Sequence, residues 1–466
     1  MMDSSRDFRD LIIVLPGIMG SVLERRGKAV WDTSIASMAM SLIRRGRDLA
    51  ELTLTGDSPM LDALGDDVVA TRTIPDVHLI PGLWKIDGYG KILDTLHRRV
   101  PLRAGENFFQ FPYDWRRDNR CTARKLEQMA MRCLRAWRQS SGFHDAKLVL
   151  IGHSMGGLVS RYFLEVLGGW QHTRTLITIG TPHRGAVGSL SALANGFRFN
   201  LGPLKIELSE FCRSCTSIYQ LLPIWECYDP GDGVLRRVGE VSGIPNIDPA
   251  RAAEALAFHR EIQSAVETNR RDPKWGEHGY QMLPVVGFGQ KTEVSATREG
   301  DLVCAHHTIR GKVIDGDGTV SRLSATPLEL SREKREVFAA TKHASLQNAD
   351  AVLDHIVGML SGTDVDLAEF FAPDVSLGLE LEDLHLSSAE IRLTITATGE
   401  PGPLTVEVTD VASGQKVRSL AVEDALAEPV LLAPLTASTY RVRVSGEGLT
   451  PVEDLLSVID EDAAAG

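Results

Sequence analysis

The sequence has few cysteines, a deficit of positive charge and no long hydrophobic run. Six cysteines in 466 residues are too sparse for a disulfide framework. Such a number is typical of a reducing compartment, so we expect a cytoplasmic location. Lysine and arginine together number 50 against 62 acidic residues, for a formal charge of −12. This balance argues against nucleic acid as the main partner, because phosphate binding needs a basic surface.

The hydrophobic runs are too short for targeting or membrane insertion. Leu11–Leu15 is a run of only five residues before Pro16, which is shorter than the core of a signal peptide. No other stretch approaches the roughly 20 residues that a membrane-spanning helix needs. We therefore expect neither a secretory signal nor a transmembrane helix.

The pattern of predicted elements changes near residue 361. Before it, strands alternate with helices, which predicts a mostly parallel sheet covered on both faces, an α/β fold. After it, short alternating strands such as Ile391–Thr396 and Leu404–Thr409 predict a small all-β sandwich of the immunoglobulin or fibronectin type. The predicted organisation is an α/β domain over 1–362 with cap insertions at about 31–76 and 186–280, a β-sandwich over 375–460, and a disordered tail over 461–466.

The second insertion is rich in small and hydrophobic segments. Ile218–Pro223 is hydrophobic, and Pro249–Thr268 has the spacing of an amphipathic helix. The composition fits a mobile cap that faces a hydrophobic substrate, and it equally fits an ordinary excursion with its own small core. The first insertion is expected to contain short helices around Ile35–Ile43.

The clearest motif is the pentapeptide Gly152-His153-Ser154-Met155-Gly156. It follows a hydrophobic strand and precedes a helix, the context in which G-x-S-x-G carries a nucleophilic serine. The glycines allow a tight turn that lifts the hydroxyl of Ser154 above the sheet. The amide of Met155 then points into the same space and can stabilise an oxyanion.

A second glycine-rich turn, Pro16-Gly17-Ile18-Met19-Gly20-Ser21, ends the first strand. Such a turn places backbone N–H groups at the carboxyl edge of the sheet, where α/β enzymes keep their sites. We expect it to supply the other half of an oxyanion hole, with the amide of Ile18 as donor.

A serine nucleophile needs a base, and the base needs an orienting carboxylate. In α/β-hydrolases these residues follow in the order Ser, Asp or Glu, His. Asp317, directly before Gly-Thr-Val in a glycine-rich turn, is preferred to Asp315 as the acid. His343 is preferred as the base because it alone falls in a loop between a late strand and a closing helix; the rejected histidines are His306, His307 and His355.

Two metal-binding interpretations are less favoured. Cys212-x-x-Cys215 has no second pair to complete a zinc site, so it is better explained as part of the cap. The turn at 315–319 lacks the later glutamate and the preceding helix of a calcium loop. We expect no metal and no cofactor.

The motifs together resemble the lecithin:cholesterol acyltransferase-like family. PGIMGS, YDWR, GHSMGG, GTPHRG, IYQLLP, GDGTV and KHASLQN occur in that family's order across about residues 10–360. The resemblance implies an α/β-hydrolase fold with a cap and lid. It implies Ser154 as nucleophile, Asp317 as acid and His343 as base, with the Ile18 and Met155 amides as oxyanion donors. The β-sandwich lies outside the match.

Four further residues of these motifs are expected to contact the substrate: Gly17, Trp115, His153 and His183. The two histidines flank the predicted nucleophile and a neighbouring strand end. We expect them to shape the pocket rather than to carry protons.

The predicted function is serine-dependent hydrolysis or acyl transfer of lipid carboxylic esters through an acyl-enzyme, of the lipase or phospholipase kind. One alternative is an esterase for small soluble esters. Another is an inactive hydrolase scaffold that binds a partner through the β-sandwich. The expected partners are a lipid or ester substrate, a membrane surface touched peripherally by the cap, and an unidentified protein at the sandwich.

Overall fold

The protein is described by a computed structural model. It describes residues 8–32, 52–75, 78–80, 84–201, 204–331, 336–361, 375–423 and 429–460. Side chains are described in all of these ranges except 78–80, 84–86, 198–201 and 204–206. The short helices predicted around Ile35–Ile43 and the predicted tail over 461–466 lie outside the described residues.

Strands and helices alternate along the larger part of the chain. In order, the described elements are β1 (Leu11–Leu15), β2 (Ser21–Arg25), β3 (Lys28–Trp31), β4 (Val68–Thr73), β5 (His78–Ile80), β6 (Trp84–Ile86), α1 (Gly90–Arg99), β7 (Phe108–Gln110), α2 (Asn119–Ser141), β8 (Leu148–His153), α3 (Met155–Glu165), β9 (Thr173–Ile179), α4 (Val187–Asn195), β10 (Arg198–Leu201), β11 (Leu204–Glu207), α5 (Ser209–Ser214), α6 (Thr216–Tyr219), β12 (Tyr228–Asp229), α7 (Pro249–Arg271), α8 (Trp275–His278), β13 (Gln281–Gly287), β14 (Ser295–Glu299), β15 (Leu302–His306), β16 (Thr308–Ile309), β17 (Lys312–Val313), α9 (Arg322–Ala325), β18 (Val337–Ala339) and α10 (Asp350–Ser361). None of the described helices combines the length and hydrophobicity needed to cross a membrane.

Six parallel strands form the central sheet, in the order β18-β13-β9-β8-β1-β7. β1 lies between β7 and β8, so that Ile13 is opposite both Phe109 and Leu150. Every residue of β1 and β8 is buried. Hydrophobic strands of this kind are typical of parallel sheets covered on both faces, and they explain why the pattern of the sequence predicted the α/β fold correctly.

The two faces of the sheet are covered by different helices. Leu11, Ile13 and Leu15 belong to a hydrophobic cluster with residues of α2 and α3. Ile12 and Val14, which point to the opposite face, belong to a cluster with residues of α1 and α10. The alternation follows from the two-residue period of a strand. It fixes the sheet between two helical layers and leaves the carboxyl ends of its strands at one edge.

The segment between β9 and β13 contains α4 to α8 and the hairpin β10–β11. Its longest helix, α7, has Pro249 at its first turn and Asp248 as N-cap, whose carboxylate accepts hydrogen bonds from the amides of Ala250 at 2.8 Å and Arg251 at 3.3 Å. Phe258 of α7 belongs to the same cluster as the central sheet. The segment therefore packs as a continuation of the main core.

Turn and capping residues set the limits of two elements. The hairpin β16–β17 turns at Gly311 (φ 74°) and lies outside the central sheet. The helix α2 spans Asn119–Ser141. It starts after the N-cap Asp118, whose carboxylate accepts a hydrogen bond from the amide of Arg120 at 2.7 Å, and stops at Gly142 (φ 77°). Capping residues, rather than hydrophobic spacing, set these limits.

The C-terminal part is an antiparallel β-structure of two facing sheets. Its described strands are β19 (Leu377–Leu381), β20 (Leu384–Leu386), β21 (Ile391–Ala397), β22 (Leu404–Asp410), β23 (Lys416–Val422), β24 (Val430–Leu432), β25 (Ser438–Gly446) and β26 (Val452–Ile459). They form the sheets β19-β21-β24 and β20-β26-β25-β22-β23, in which only β20 and β26 pair in parallel. Inward residues of both sheets make one hydrophobic core, as in a β-sandwich.

The sandwich is joined to the α/β part by ion pairs and hydrogen bonds. Arg441 of β25 forms an ion pair with Asp87, which lies just before α1 and whose side chain is 3% exposed. The amide group of Gln290 donates to the carbonyl of Leu377 at 3.1 Å. These contacts hold the sandwich against the edge of the sheet at which the strands end.

Candidate active site

Ser154 occupies a sharp turn between β8 and α3. β8 ends at His153 and α3 begins at Met155, so this one residue makes the turn. Its backbone angles are φ 50° and ψ −123°, a conformation that non-glycine residues rarely adopt. The turn presents the hydroxyl at the carboxyl end of the sheet, as in the G-x-S-x-G turn of α/β-hydrolases.

The motif glycines are required by close packing of the backbone. A Cβ at Gly152 would lie 2.7 Å from the amide nitrogen of Gly157, and one at Gly156 would lie 2.5 Å from the carbonyl oxygen of Pro16. Both neighbours are backbone atoms, which cannot move aside without shifting an element. Glycine at these two positions therefore lets α3 start directly against β8 and the turn after β1.

The structure brings together the three predicted triad side chains. The Ser154 hydroxyl lies 2.9 Å from Nε2 of His343, and Nδ1 of His343 lies 2.7 Å from Oδ2 of Asp317. All three residues are buried to more than nine tenths. With Nδ1 donating to the carboxylate, Nε2 is left to accept the serine proton. This is the hydrogen-bond order that activates a serine as nucleophile.

The carboxylate of Asp317 is fixed by its own turn. Its Oδ1 accepts hydrogen bonds from the amides of Thr319 at 2.9 Å and Val320 at 2.7 Å, which leaves Oδ2 for the imidazole. Asp315, the other acid considered from the sequence, instead accepts from the amide of Gly289 at 2.7 Å and forms an ion pair with Arg322. The glycine-rich turn therefore presents one of its two aspartates to His343.

The predicted oxyanion donors lie beside the nucleophile. Gly17 packs so closely that a Cβ on it would be 2.9 Å from Cβ of Ser154, which brings the next residue, Ile18, to the same place. Met155 is the first residue of α3, where amides have no partner within the helix. Within the described part of the chain, neither the Ile18 nor the Met155 amide is bonded to another protein group. Both are available to an oxyanion.

A hydrogen-bond chain that the sequence did not predict ties the oxyanion turn to the base. The amide of Gly17 donates to the Tyr89 hydroxyl at 2.6 Å, so the Tyr89 proton is directed to Nδ1 of His153 at 2.9 Å. Nε2 of His153 then donates to the carbonyl of His343 at 3.3 Å. Burial and the neighbouring His343 hold the pKa of His153 well below its usual range. The His153 ring is therefore neutral and relays hydrogen bonds without carrying charge.

Gly17, Trp115, His153 and His183, which are predicted to contact the substrate, are not among the residues that line the cavity over Ser154. Trp115 is fully buried, and its indole nitrogen donates to the carbonyl of Ser21 at 3.3 Å. Gly17 packs on Ser154, and His153 belongs to the chain described above.

His183 also lies behind the cavity wall. Its Nε2 is 3.3 Å from the Thr178 hydroxyl, and burial, with Arg161 and Arg184 nearby, lowers the pKa of its ring well below the usual range. It is a neutral packing residue at the end of β9.

A cavity of about 760 Å³ opens over the triad. Its wall includes Ile18, Ser154, Asp317 and His343, together with residues of α4, α5, α6 and the β-sandwich. Its volume is within the range of pockets that bury small organic ligands, roughly 300–1,000 Å³. The sequence did not indicate that the sandwich reaches this cavity, because its strands carry no motif.

The described cysteines and acidic groups do not gather into a metal site. Cys212 and Cys215 are free thiols buried in the hydrophobic cluster that also includes residues of the central sheet. Burial raises the pKa of the Cys212 thiol to about 12. Within the described ranges, no three His, Cys, Asp or Glu side chains are close enough together to bind a metal ion.

The parallel sheet, the strained serine turn and the order of the three side chains define an α/β-hydrolase fold. The sequence model of the lecithin:cholesterol acyltransferase family matches residues 84–269. The resemblance to the lecithin:cholesterol acyltransferase-like family is therefore confirmed over this part of the chain.

Two known proteins are similar to this chain over segments of comparable length. Lecithin-cholesterol acyltransferase-like 4 of Arabidopsis thaliana is 30% identical over 155 residues, which cover 28% of each chain. Lysosomal phospholipase A and acyltransferase of Homo sapiens is 30% identical over 135 residues, covering 27% of this chain and 31% of that protein. The chain thus spans less than a third of the length of these relatives.

A solved structure described as the Tle4–Tli4 complex aligns with 76% of this chain and 99% of its own, with a TM-score of 0.49 and 13% identity.

Proposed function

We propose that the protein is a serine esterase that hydrolyses carboxylic esters of lipids or transfers their acyl groups. The observation that carries the proposal is the hydrogen-bonded series Ser154–His343–Asp317 at a strained turn beneath a cavity. The likeness to acyltransferases and a phospholipase supports the same class of reaction.

The first half of the reaction follows from the direction of the hydrogen bonds. Oγ of Ser154 attacks the ester carbonyl carbon as its proton moves to Nε2 of His343, and Asp317 stabilises the imidazolium. The carbonyl oxygen becomes an oxyanion, which the amides of Ile18 and Met155 bind. The ester C–O bond then breaks, and the leaving oxygen takes the proton from Nε2.

The second half releases the acyl group. Water, or an acceptor alcohol, gives its proton to Nε2 of His343 and attacks the carbonyl carbon of the acyl-enzyme. The bond from the carbonyl carbon to Oγ of Ser154 breaks, and Oγ recovers its proton. Hydrolysis and acyl transfer use the same groups, so they differ only in the molecule that attacks.

A lipid acyl chain is supported by the cap side of the cavity. On that side the segment between β9 and β13 contributes the hydrophobic residues Ala186, Ala192, Phe197, Ile218 and Leu221, beside the polar Ser189, Ser191 and Asn195. An acyl chain that packs against these hydrophobic side chains is removed from water, which favours its binding.

Ser154→Ala tests the mechanism. The serine oxygen forms the covalent bond, so we expect the variant to lose ester hydrolysis by several orders of magnitude. It should also lose labelling by an alkyl fluorophosphonate. Ser160→Ala removes a buried hydroxyl on the same helix that donates to the carbonyl of Gly156 at 2.8 Å, and serves as the matched control. Full esterase activity in Ser154→Ala would reject the assignment.

The length of the acyl chain tests the substrate class. A lipid esterase should show rising kcat/KM for p-nitrophenyl esters as the acyl chain lengthens from acetyl to decanoyl. A steady fall over the series would instead indicate an esterase for small soluble esters. Product analysis with a labelled phospholipid, with and without an acceptor alcohol, separates hydrolysis from transfer.

We also propose that the protein works in a reducing compartment such as the cytoplasm. All six cysteines are free thiols, and four of them are buried. Titration of thiols in the unfolded protein purified without reductant should give all six.

A further inference from the structure

The central sheet does not hold the three triad residues equally. Ser154 follows β8, which pairs on its two sides with β1 and β9. His343 follows β18, a strand of three residues at one edge of the described sheet. Asp317 lies in the turn between β17 and α9, outside this sheet. The acid and the base therefore depend on contacts beyond the sheet for their positions.

The loop that carries the base is bonded directly to the sandwich. Lys342, the residue before His343, forms an ion pair with Asp454 of β26. The Asp454 side chain is 2% exposed and that of Lys342 is 20% exposed, so solvent screens this pair less than a surface pair. Oδ1 of Asp454 also accepts from the amide of Leu455 at 2.9 Å, which orients the carboxylate on its strand.

The residue after the base is bonded to the sandwich through Asp87. Nη1 of Arg441 in β25 lies 3.0 Å from Oδ2 of Asp87. The backbone amide of Asp87 donates to the carbonyl of Ala344 at 2.9 Å, and its carbonyl accepts from the side-chain amide of Asn348 at 2.9 Å. Because Ala344 directly follows His343, the sandwich supports the loop on both sides of the base.

The turn that carries the acid is bonded to the sandwich through Gln290. The side-chain amide of Gln290 donates to the carbonyl of Leu377 at 3.1 Å, and its oxygen accepts from the amide of Leu379 at 3.4 Å. The backbone of Gln290 exchanges two hydrogen bonds with Gly316, at 3.0 and 3.1 Å. Gly316 directly precedes Asp317, so one buried residue joins a sandwich strand to the turn of the acid.

These contacts meet the geometric demand of the triad. Proton transfer from Ser154 requires the imidazole to stay within about half an ångström of its working position. The backbone amide of His343 donates to the carbonyl of Asp317 at 2.8 Å, so the two supported segments are also bonded to each other. A shift of the sandwich would therefore move the acid and the base together, relative to Ser154.

We propose that the β-sandwich is a positioning domain, which holds the acid and the base of the triad against the nucleophile. Asp454 of the sandwich and Gln290 of the α/β part are its positioning residues. The inference rests on the proposed esterase function, and it gives the C-terminal part a role in the rate of the reaction.

Asp454→Asn in the full chain tests the base side. Loss of the ion pair frees the loop of His343, so we expect kcat to fall by about tenfold, with KM changed by less than about twofold. The rate of fluorophosphonate labelling should fall by the same factor while labelling still goes to completion. Glu407→Gln, which removes the partner of Lys416 elsewhere in the sandwich, is the matched control and should behave as the wild type. Wild-type kcat in Asp454→Asn would overturn the proposal.

A direct contact with substrate is the competing explanation, because Lys342 and Asp454 also line the cavity. Positioning predicts the same loss of kcat for p-nitrophenyl octanoate and methyl octanoate, which differ in the alcohol. A rise in KM without a fall in kcat, or a loss confined to one of these esters, would overturn it.

A double-mutant cycle keeps the test independent of any one variant. Lys342→Gln breaks the same ion pair from the loop side. If the pair acts as a unit, the double variant should lose about tenfold in kcat, as each single variant does, and not about a hundredfold. Losses that multiply would show that the two residues act separately and would overturn the role of the pair.

Gln290→Leu tests the acid side, since it removes both hydrogen bonds to β19 with little change in volume. We expect kcat and the labelling rate to fall together by about threefold or more. If Asp454→Asn and Gln290→Leu both unfolded at lower urea concentration but reacted at the wild-type rate, the sandwich would contribute stability alone and the proposal would fail. Absence of labelling and of all ester turnover in the wild type would instead reject the esterase function itself.

Discussion

Tyr89 is the residue whose role the sequence hides most completely. It belongs to no motif, it lies at the start of α1, and its side chain is fully buried. Yet its hydroxyl accepts from the amide of Gly17 and donates to His153, and so connects the oxyanion turn to the loop of His343. Contacts between residues so far apart along the chain produce no local pattern in the sequence by which they could be predicted. The triad residues, by contrast, each sit at a strand end with a recognisable turn.

We expect Tyr89→Phe to lower kcat more than it raises KM, because it leaves a buried amide and an imidazole nitrogen without their partner. A loss of about tenfold in kcat corresponds to the cost of one unsatisfied buried group, about 1–3 kcal/mol. The rate of fluorophosphonate labelling should fall in parallel.

Tyr228→Phe is the matched control, since the Tyr228 hydroxyl is buried without a hydrogen-bond partner among the described residues. If Tyr89→Phe unfolded at lower denaturant concentration but reacted at the wild-type rate, the residue would be structural and not a positioning residue.

At the scale of elements, the contact between β8 and α3 is the most constrained part of the fold. Gly152→Ala should destabilise the protein by about 3 kcal/mol, because the added methyl group meets backbone atoms of α3 at 2.7–2.9 Å. The displaced turn should also reduce esterase activity. Denaturant unfolding and fluorophosphonate labelling measure the two effects.

Gly276→Ala provides the comparison for this prediction. Gly276 lies in α8, where an added Cβ would meet no atom within 4 Å, so alanine should be neutral or slightly stabilising. Equal stability of Gly152→Ala and Gly276→Ala would refute the packing explanation for the motif glycine.

Elements were predictable where hydrophobic period and turn chemistry agree. The strands of the sheet around β8, the serine turn and the strands β21 and β22 follow directly from such patterns. The limits of α2 depend on capping by Asp118 and Gly142, and the hairpin at 308–313 depends on a turn at Gly311. The contact of the sandwich with the cavity depends on long-range ion pairs, for which the sequence offers no local signal.

At the scale of the whole molecule, buried histidines make stability depend on pH, and three of them have the clearest shifts. Burial lowers the pKa of His153 and of His183 well below the usual value, and lowers that of His259 to about 4. Below about pH 6.5 the unfolded chain binds protons at these rings and the folded protein does not. The free energy of unfolding should therefore fall on acidification, by about 1.4 kcal/mol per pH unit for each histidine.

Urea unfolding at a series of pH values between 7.5 and 5, each about half a unit apart, measures this dependence. His259→Gln removes one of these rings, so its free energy of unfolding should fall less steeply than that of the wild type, by about 1.4 kcal/mol per pH unit. Parallel curves for the two proteins would show that His259 is not kept neutral by the fold.

The ion pair between Lys342 and Asp454 joins residues 112 positions apart, and Asp454 lies in the last described strand. During synthesis on the ribosome, Ser154 and His343 emerge well before the strand that anchors the loop of the base. A nascent chain therefore carries its reactive groups while their support is still untranslated. Assembly of the finished centre therefore waits until the strand that contains Asp454 has been synthesised.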